Sequence, residues 1–237
     1  MKREYLTWKS PSLGKEMEML VFGERGTPVL VFPSEEGQFF EWEDSGIIEQ
    51  VSEQIDEGYN QFFCVDSVAS ESFLNKNVDP NLRLSRHSQY ESYIVDEVIP
   101  RIRSMNKSPY LIATGANMGA YYALLMGLKH PNCVSKVIAI SGSYDIAPYL
   151  DGNDSTHAYY NNPIAFIPNL NDPAILKQYR ELEIRMLSYK NDPNKNATSR
   201  MSDILWMKQI SHQCYVWNET YANPWECVAP ILKEHLY

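Results

Sequence analysis

The stretch Thr114-Gly115-Ala116-Asn117-Met118-Gly119-Ala120 constrains this chain more than any other. It lies between an apolar run, Tyr110-Leu111-Ile112-Ala113, and a segment of helical character from Ala120 to His130. A strand that turns into a helix this sharply leaves no room for a side chain on either flank of the turn, and glycine meets that demand. The pattern Gly-x-X-x-Gly in this context predicts a strand, a tight bend and a helix. The central residue of such a bend sits at positive φ, which asparagine tolerates better than most residues. Chemistry at that position needs serine, cysteine or aspartate. A carboxamide cannot be activated as a nucleophile by a neighbouring base. Asn117 therefore keeps the bend and removes its reactive group.

The rest of the chain alternates strand-like and helix-like segments. Residues 3–8 and 16–22 alternate apolar and polar, as half-buried antiparallel strands do. Val29-Leu30-Val31-Phe32, Phe62-Phe63-Cys64-Val65 and Val137-Ile138-Ala139-Ile140 are continuous apolar runs, the mark of strands buried on both faces. Leu182 to Leu187 and Cys214 to Trp217 complete the strand set. Ile47, Ile48, Val51 and Ile55 share one helical face that Asp44 or Ser45 could cap. A polar loop is expected up to about residue 86. Tyr90, Ile94, Val98 and Ile102 then mark a long helix with a kink at Pro100. Further helices are expected over Ser199–Ile210 and Cys227–Leu236. Residues 144–172, rich in Tyr, Asn, Asp and Pro, have little periodicity and read as an insertion covering a site. The prediction is one α/β domain over 1–237, with a mostly parallel, doubly wound sheet flanked by helices and the first strands antiparallel.

The net charge of −9 argues against nucleic acid or an anionic membrane as partner. No apolar run is long enough for a membrane span, and no signal-peptide core follows Met1, so the expected compartment is the cytoplasm. The four cysteines, Cys64, Cys133, Cys214 and Cys227, are widely spaced and suggest buried thiols rather than zinc or disulfides. No His-x-x-x-His pattern occurs, and neither a metal nor a cofactor is expected.

Several stretches together carry a resemblance. They are Val31-Phe32-Pro33-Ser34 with Phe39-Phe40-Glu41, Phe63-Cys64-Val65-Asp66-Ser67 with Glu71-Ser72, and Met118-Gly119-Ala120-Tyr121. Ser141-Gly142-Ser143-Tyr144-Asp145 and Asn162-Pro163 before Pro168-Asn169-Leu170 complete the set. In this order and spacing the chain resembles the putative esterase family of α/β-hydrolases, the group containing esterase D and the mycolyltransferases. The resemblance covers nearly all of the chain and implies an α/β-hydrolase fold.

It also implies a nucleophile, an acid and a histidine in that chain order. The nucleophile position falls on Asn117, the acid on Asp192 and the histidine on Tyr221, counting back from Pro224-Trp225. Two of the three catalytic groups are then missing. The oxyanion hole would use the backbone N–H of Met118 and one near Ser34 or Glu35. Carboxylates at Glu35 and Glu36 would disfavour an oxyanion if they point inward.

Phe39, Phe40, Trp42, Tyr121, Tyr159 and Trp225 fall near the expected mouth loops and are candidates to line a pocket for an acyl or aromatic group. The reading is an esterase-like protein without hydrolytic activity that binds a small ester-like ligand or a protein partner. It could also form a homo-oligomer through the insertion. The alternative is an active acyl hydrolase using a displaced serine, Ser67, Ser141 or Ser143, with Ser67–His87 as one conceivable pair. Deamidation of Asn117 could supply a carboxylate nucleophile of the dehalogenase kind, but Met118 rather than glycine follows it and no histidine base is in place.

Overall fold

The computed structural model describes residues 1–236. Eight strands form one sheet: β1 (Arg3–Lys9), β2 (Glu16–Phe22), β3 (Thr27–Phe32), β4 (Asn60–Val65), β5 (Ile112–Ala116), β6 (Lys136–Ile140), β7 (Glu183–Tyr189) and β8 (Gln213–Trp217). Their order is β1-β2-β4-β3-β5-β6-β7-β8. β1 pairs antiparallel with β2, and β2 with β4; the remaining pairs are parallel. The expected mostly parallel α/β sheet with antiparallel first strands is therefore present.

The continuous apolar runs feed two cores through the alternation of the pleat. Leu30, Phe32, Phe63, Val65, Val137 and Ala139 face one side, against the long helix, the elbow helix Met118–Lys129 and the insertion. Val29, Val31, Phe62, Cys64, Ile138 and Ile140 face the other, against residues 42–55 and the closing helix Trp225–His235. Burial on both faces explains why these strands lack alternation in sequence.

Three elements differ from expectation. The long helix begins at Pro80, not near residue 86, with Asp79 Oδ1 capping the N–H of Asn81 at 2.8 Å. Asp-Pro is a start signal, but the turns that follow carry buried Arg83 and His87, which break the apolar periodicity. Near the kink expected at Pro100, a π-helical turn over Ile94–Val98 interrupts the α-helical bonding, and Pro100 lies in the first turn of the segment Ile99–Met105. The helix through Ile47 and Ile55 is two short pieces, Ile47–Gln50 and Ser52–Asp56, after a separate turn at Glu41–Asp44, and Gly46 at φ 75°, rather than a capping side chain, precedes the first of them.

Arg83 ties the insertion to the long helix. Its guanidinium donates to the carbonyls of Val78 (2.7 Å), Tyr149 (2.8 Å) and Lys76 (3.1 Å), and lies 2.9 Å from Asp151. The side chain is buried, so truncation strands carbonyls that water reaches poorly. Arg83→Met should cost about 3–5 kcal/mol in urea unfolding. Hydrogen exchange should accelerate first at residues 147–153. A loss below 1 kcal/mol would mean that the strut is not what holds the insertion.

Candidate functional site

β5 ends at Ala116, and Asn117 takes φ 53° and ψ −115° before the helix starts at Met118. The N–H of Asn117 donates to the carbonyl of Ile140 at 3.1 Å, fixing the bend to β6. Both glycines are required by contact. A Cβ on Gly119 would lie 2.5 Å from the carbonyl oxygen of Phe32 and 2.8 Å from that of Pro33, and one on Gly115 would lie 2.7 Å from Cα of Gly119. The bend is thus wedged against the loop that leaves β3.

Around Asn117 lies a hydrogen-bonded polar cluster. Asn194 Nδ2 donates to Asn117 Oδ1 at 3.1 Å and to the Ser141 carbonyl at 2.9 Å. Ser141 follows β6 at φ 51°, and its hydroxyl donates to Asp192 Oδ1 at 2.6 Å. That leaves the 3.5 Å approach of Ser141 Oγ to Asn117 Oδ1 without a proton of its own. The Asn194 N–H also donates to Asp192 Oδ1, at 2.7 Å. Asp192 is buried, and Oδ2 has no partner among the described residues. Burial pushes the Asp192 carboxyl up, against the opposing pull of the Ser141 and Asn194 bonds.

None of the five imidazoles shares a hydrogen bond with this cluster. His87 is packed among Phe73, Tyr121 and Tyr122. His130 Nε2 lies 2.8 Å from Glu91, His157 Nε2 2.7 Å from Ser88, His212 Nε2 2.8 Å from Ser202, and His235 Nδ1 3.0 Å from Arg185. The conceivable Ser67–His87 pair is not formed: Ser67 Oγ accepts from the N–H of Ala69 at 3.0 Å. Tyr221 does not line the cavity beside Asn117. Its backbone N–H and carbonyl bond Asn191 at 3.1 and 2.9 Å, and its ring meets Tyr189 edge-on at 5.5 Å. The loop residues facing Asn117 are Pro224 and Trp225.

The Met118 N–H opens a helix and so has no intrahelical acceptor. On the opposite loop, the Ser34 N–H donates to Glu41 Oε2 at 2.8 Å, and the Ser34 hydroxyl donates to Glu41 Oε1. A carboxylate thus holds the second donor expected for an oxyanion. Burial pushes the Glu41 carboxyl up, more than the Ser34 bonds pull it down. Glu35 instead accepts from the Tyr149 hydroxyl at 3.3 Å, and Glu36 is exposed. Glu41 and Asn194 are the two site residues the sequence reading missed. Glu41 reaches Ser34 only because the chain turns back at Gly37, whose missing Cβ leaves room for the carboxylate.

The expected pocket residues are dispersed. Trp42 and Tyr121 are buried in opposite cores. Phe39 and Phe40 pack edge to face at 5.0 Å, with Phe39 also near Tyr5 at 5.9 Å. Trp225 lines a cavity of about 10 Å³ beside Asn117, with Ala116, Ile140, Ser141, Pro224, Cys227 and Val228. That is space for about one water molecule. None of its walls comes from residues 144–172. Tyr159 lines a separate cavity of about 210 Å³ within the insertion, with Ala147, Leu150, Ala158, Asn162 and Ala165. No group of metal-ligating side chains occurs among the described residues, and none of their helices is long and apolar enough to cross a membrane.

The family model described as "Putative esterase" matches residues 10–228. A ferulic acid esterase superposes with a TM-score of 0.77 at 13% identity, over 99% of this chain and 96% of that one. An S-formylglutathione hydrolase from Agrobacterium tumefaciens gives 0.76 at 15%, over 99% and 92%. MPT51 (FbpC1) of Mycobacterium tuberculosis gives 0.64 at 14%, over 100% and 97%. A search of curated protein sequences found no match.

Proposed function

Because this chain belongs to the Putative esterase family, we propose that it is a member that keeps the family framework, does not hydrolyse esters, and acts by binding a small ester-like ligand or a protein partner. The observation that carries this reading is the bonding around the bend. The Asn117 carboxamide is engaged by Asn194, and Asp192 receives the Ser141 hydroxyl in place of an imidazole N–H. A hydrolase of this kind needs a nucleophile, a base that takes its proton and a donor pair for the oxyanion. Asparagine supplies no nucleophile, and Glu41 holds one of the two donors. Removing a single triad member typically leaves about 10³–10⁴-fold acceleration over water, against about 10⁶-fold or more for working enzymes. Residual turnover here should lie at or below the lower of those levels.

A ligand of any size does not fit the space beside Asn117 without movement of Trp225, so the insertion cavity is the better candidate for binding a small apolar group.

One observation favours a second reading, in which Ser141 is a displaced nucleophile. Its hydroxyl lies 2.6 Å from Asp192, next to the position where attack would occur. A carboxylate is a poor base for a hydroxyl, however, and with no imidazole in the cluster the proton has nowhere to be relayed. A fluorophosphonate probe followed by intact mass measurement separates the two readings. No stoichiometric adduct is expected. A one-to-one adduct that disappears in Ser141→Gly would replace the first reading with the second.

A further inference from the structure

The bend does more than present the Asn117 side chain; it sets the backbone for a reaction of Asn117 with itself. Around the Cα–C bond of an L-residue, Cβ lies roughly 120° from the residue's own nitrogen. At ψ −115° the nitrogen of Met118 is therefore only about 5° from eclipsing Cβ of Asn117. In a helix or an antiparallel strand the corresponding angle is roughly 80° or 105°. Eclipse is the condition for a planar five-membered ring through N of Met118 and C, Cα, Cβ and Cγ of Asn117. Rotation about Cα–Cβ is then all that closure requires.

Three further features act in the same direction. The Met118 N–H has no intrahelical acceptor to hold it. Asn194 Nδ2 donates to Asn117 Oδ1 at 3.1 Å, on the oxygen that gains negative charge when Cγ is attacked. The cavity of about 10 Å³ beside Asn117 has room for about one water molecule.

We propose that Asn117 is a self-modification site, at which the backbone nitrogen of Met118 attacks Cγ of Asn117 and ammonia is released. The N–Cγ bond forms and the Cγ–Nδ2 bond breaks. The amide proton of Met118 leaves with the Nδ2 group as ammonia, and a succinimide remains. Water then adds across one of the two ring C–N bonds. Opening at Cγ gives an aspartyl residue at position 117, and opening at the backbone carbonyl carbon gives an isoaspartyl residue. No oxidant or reductant enters, and water is the only co-reactant. A glycine after asparagine speeds this reaction in flexible chains by letting them reach the eclipsed angle. In this chain the fold imposes the angle, so Met118 is no obstacle. The product sets a new carboxylate beside Asp192.

The test compares the folded protein with the same protein unfolded in urea, in one mildly alkaline buffer, by peptide mass mapping over time. Conversion at position 117 should be at least about tenfold faster in the folded chain, where the reacting atoms are prealigned. Hydroxylamine should cleave the folded chain between positions 117 and 118 as the succinimide forms. Asn194→Asp, which keeps the shape and loses the donor, should slow conversion about fivefold or more. Should that variant not fold, Asn194→Ser removes the reach instead. Conversion in the folded wild type no faster than in urea overturns the proposal. This readout needs no esterase turnover, so its failure leaves the function proposed above untouched, and failure of that function leaves it untouched.

Discussion

Gly119→Ala should lower the free energy of unfolding by about 3 kcal/mol, and Gly115→Ala by a similar amount, in urea titrations followed by far-UV circular dichroism. Neither change adds more than a methyl group, and the cost comes from what that methyl meets. At Gly119 it meets carbonyl oxygens of Phe32 and Pro33 at 2.5 and 2.8 Å, and at Gly115 it meets the backbone of Gly119. These neighbours are main-chain atoms of the end of β3, of the loop that leaves it and of the elbow helix, so relief requires parting the strand from the helix rather than turning a side chain. Gly152 is the control. It has φ +82° and nothing within 4 Å of an added Cβ, so Gly152→Ala should cost only about 1 kcal/mol through backbone strain. Equal effects at all three positions would show that backbone conformation, not the wedge between β3 and the helix, makes the glycines necessary.

The second large effect is acid lability at His87. This imidazole is completely buried against Phe73, Tyr121 and Tyr122, and no hydrogen bond of ordinary geometry reaches either ring nitrogen. Burial lowers its pKa to about 3, outweighing the upward pull of Glu91, while Lys129 and His157 push in the same direction as burial. Between the ordinary imidazole value near 6.5 and about 3, the unfolded chain binds a proton that the folded chain refuses. Stability from this group is therefore complete above the ordinary value and is lost as pH falls through the window, at about 1.4 kcal/mol per pH unit. His87→Leu, which keeps an apolar contact with the same rings, should leave stability within about 1 kcal/mol at neutral pH. At pH near 4.5 it should exceed the wild type by about 3 kcal/mol. Parallel stability–pH curves for the two proteins would contradict this account of His87.

Much of the fold was legible because eight apolar or alternating runs stand between recognisable turns. The start of the long helix was not, because Arg83 and His87 occupy buried positions that a polarity pattern assigns to solvent. Each earns that place by a different route, Arg83 through carbonyl partners and His87 by staying neutral. At the site, Gly115, Asn117 and Gly119 could be read from spacing alone, since the bend is a local property. Around it, Asp192 was implied by the resemblance and Ser141 stood among the candidate serines, but Asn194 and the bonds that join the three could not be read. Ser141, Asp192 and Asn194 converge through the parallel register of β5, β6 and β7, which brings the ends of three strands to one edge. Tyr221 and Trp225 show the limit of counting along a loop. The Asn191 clamp on the Tyr221 backbone fixes where that loop leaves β8, and Trp225 rather than Tyr221 faces the bend. Glu41 lies outside any pattern of spacing, because its bond to Ser34 depends on the turn at Gly37.

The central claim is that Asn117 presents no nucleophile and that no imidazole serves the bend. Steady-state hydrolysis of a short-chain nitrophenyl ester by the wild type and by Asn117→Ala, Ser141→Gly and Asp192→Asn, each checked for folding, tests it most directly. The predicted result is one low rate, linear in ester concentration and shared by all four proteins. Saturable turnover by the wild type that disappears in any one of the three variants would contradict it.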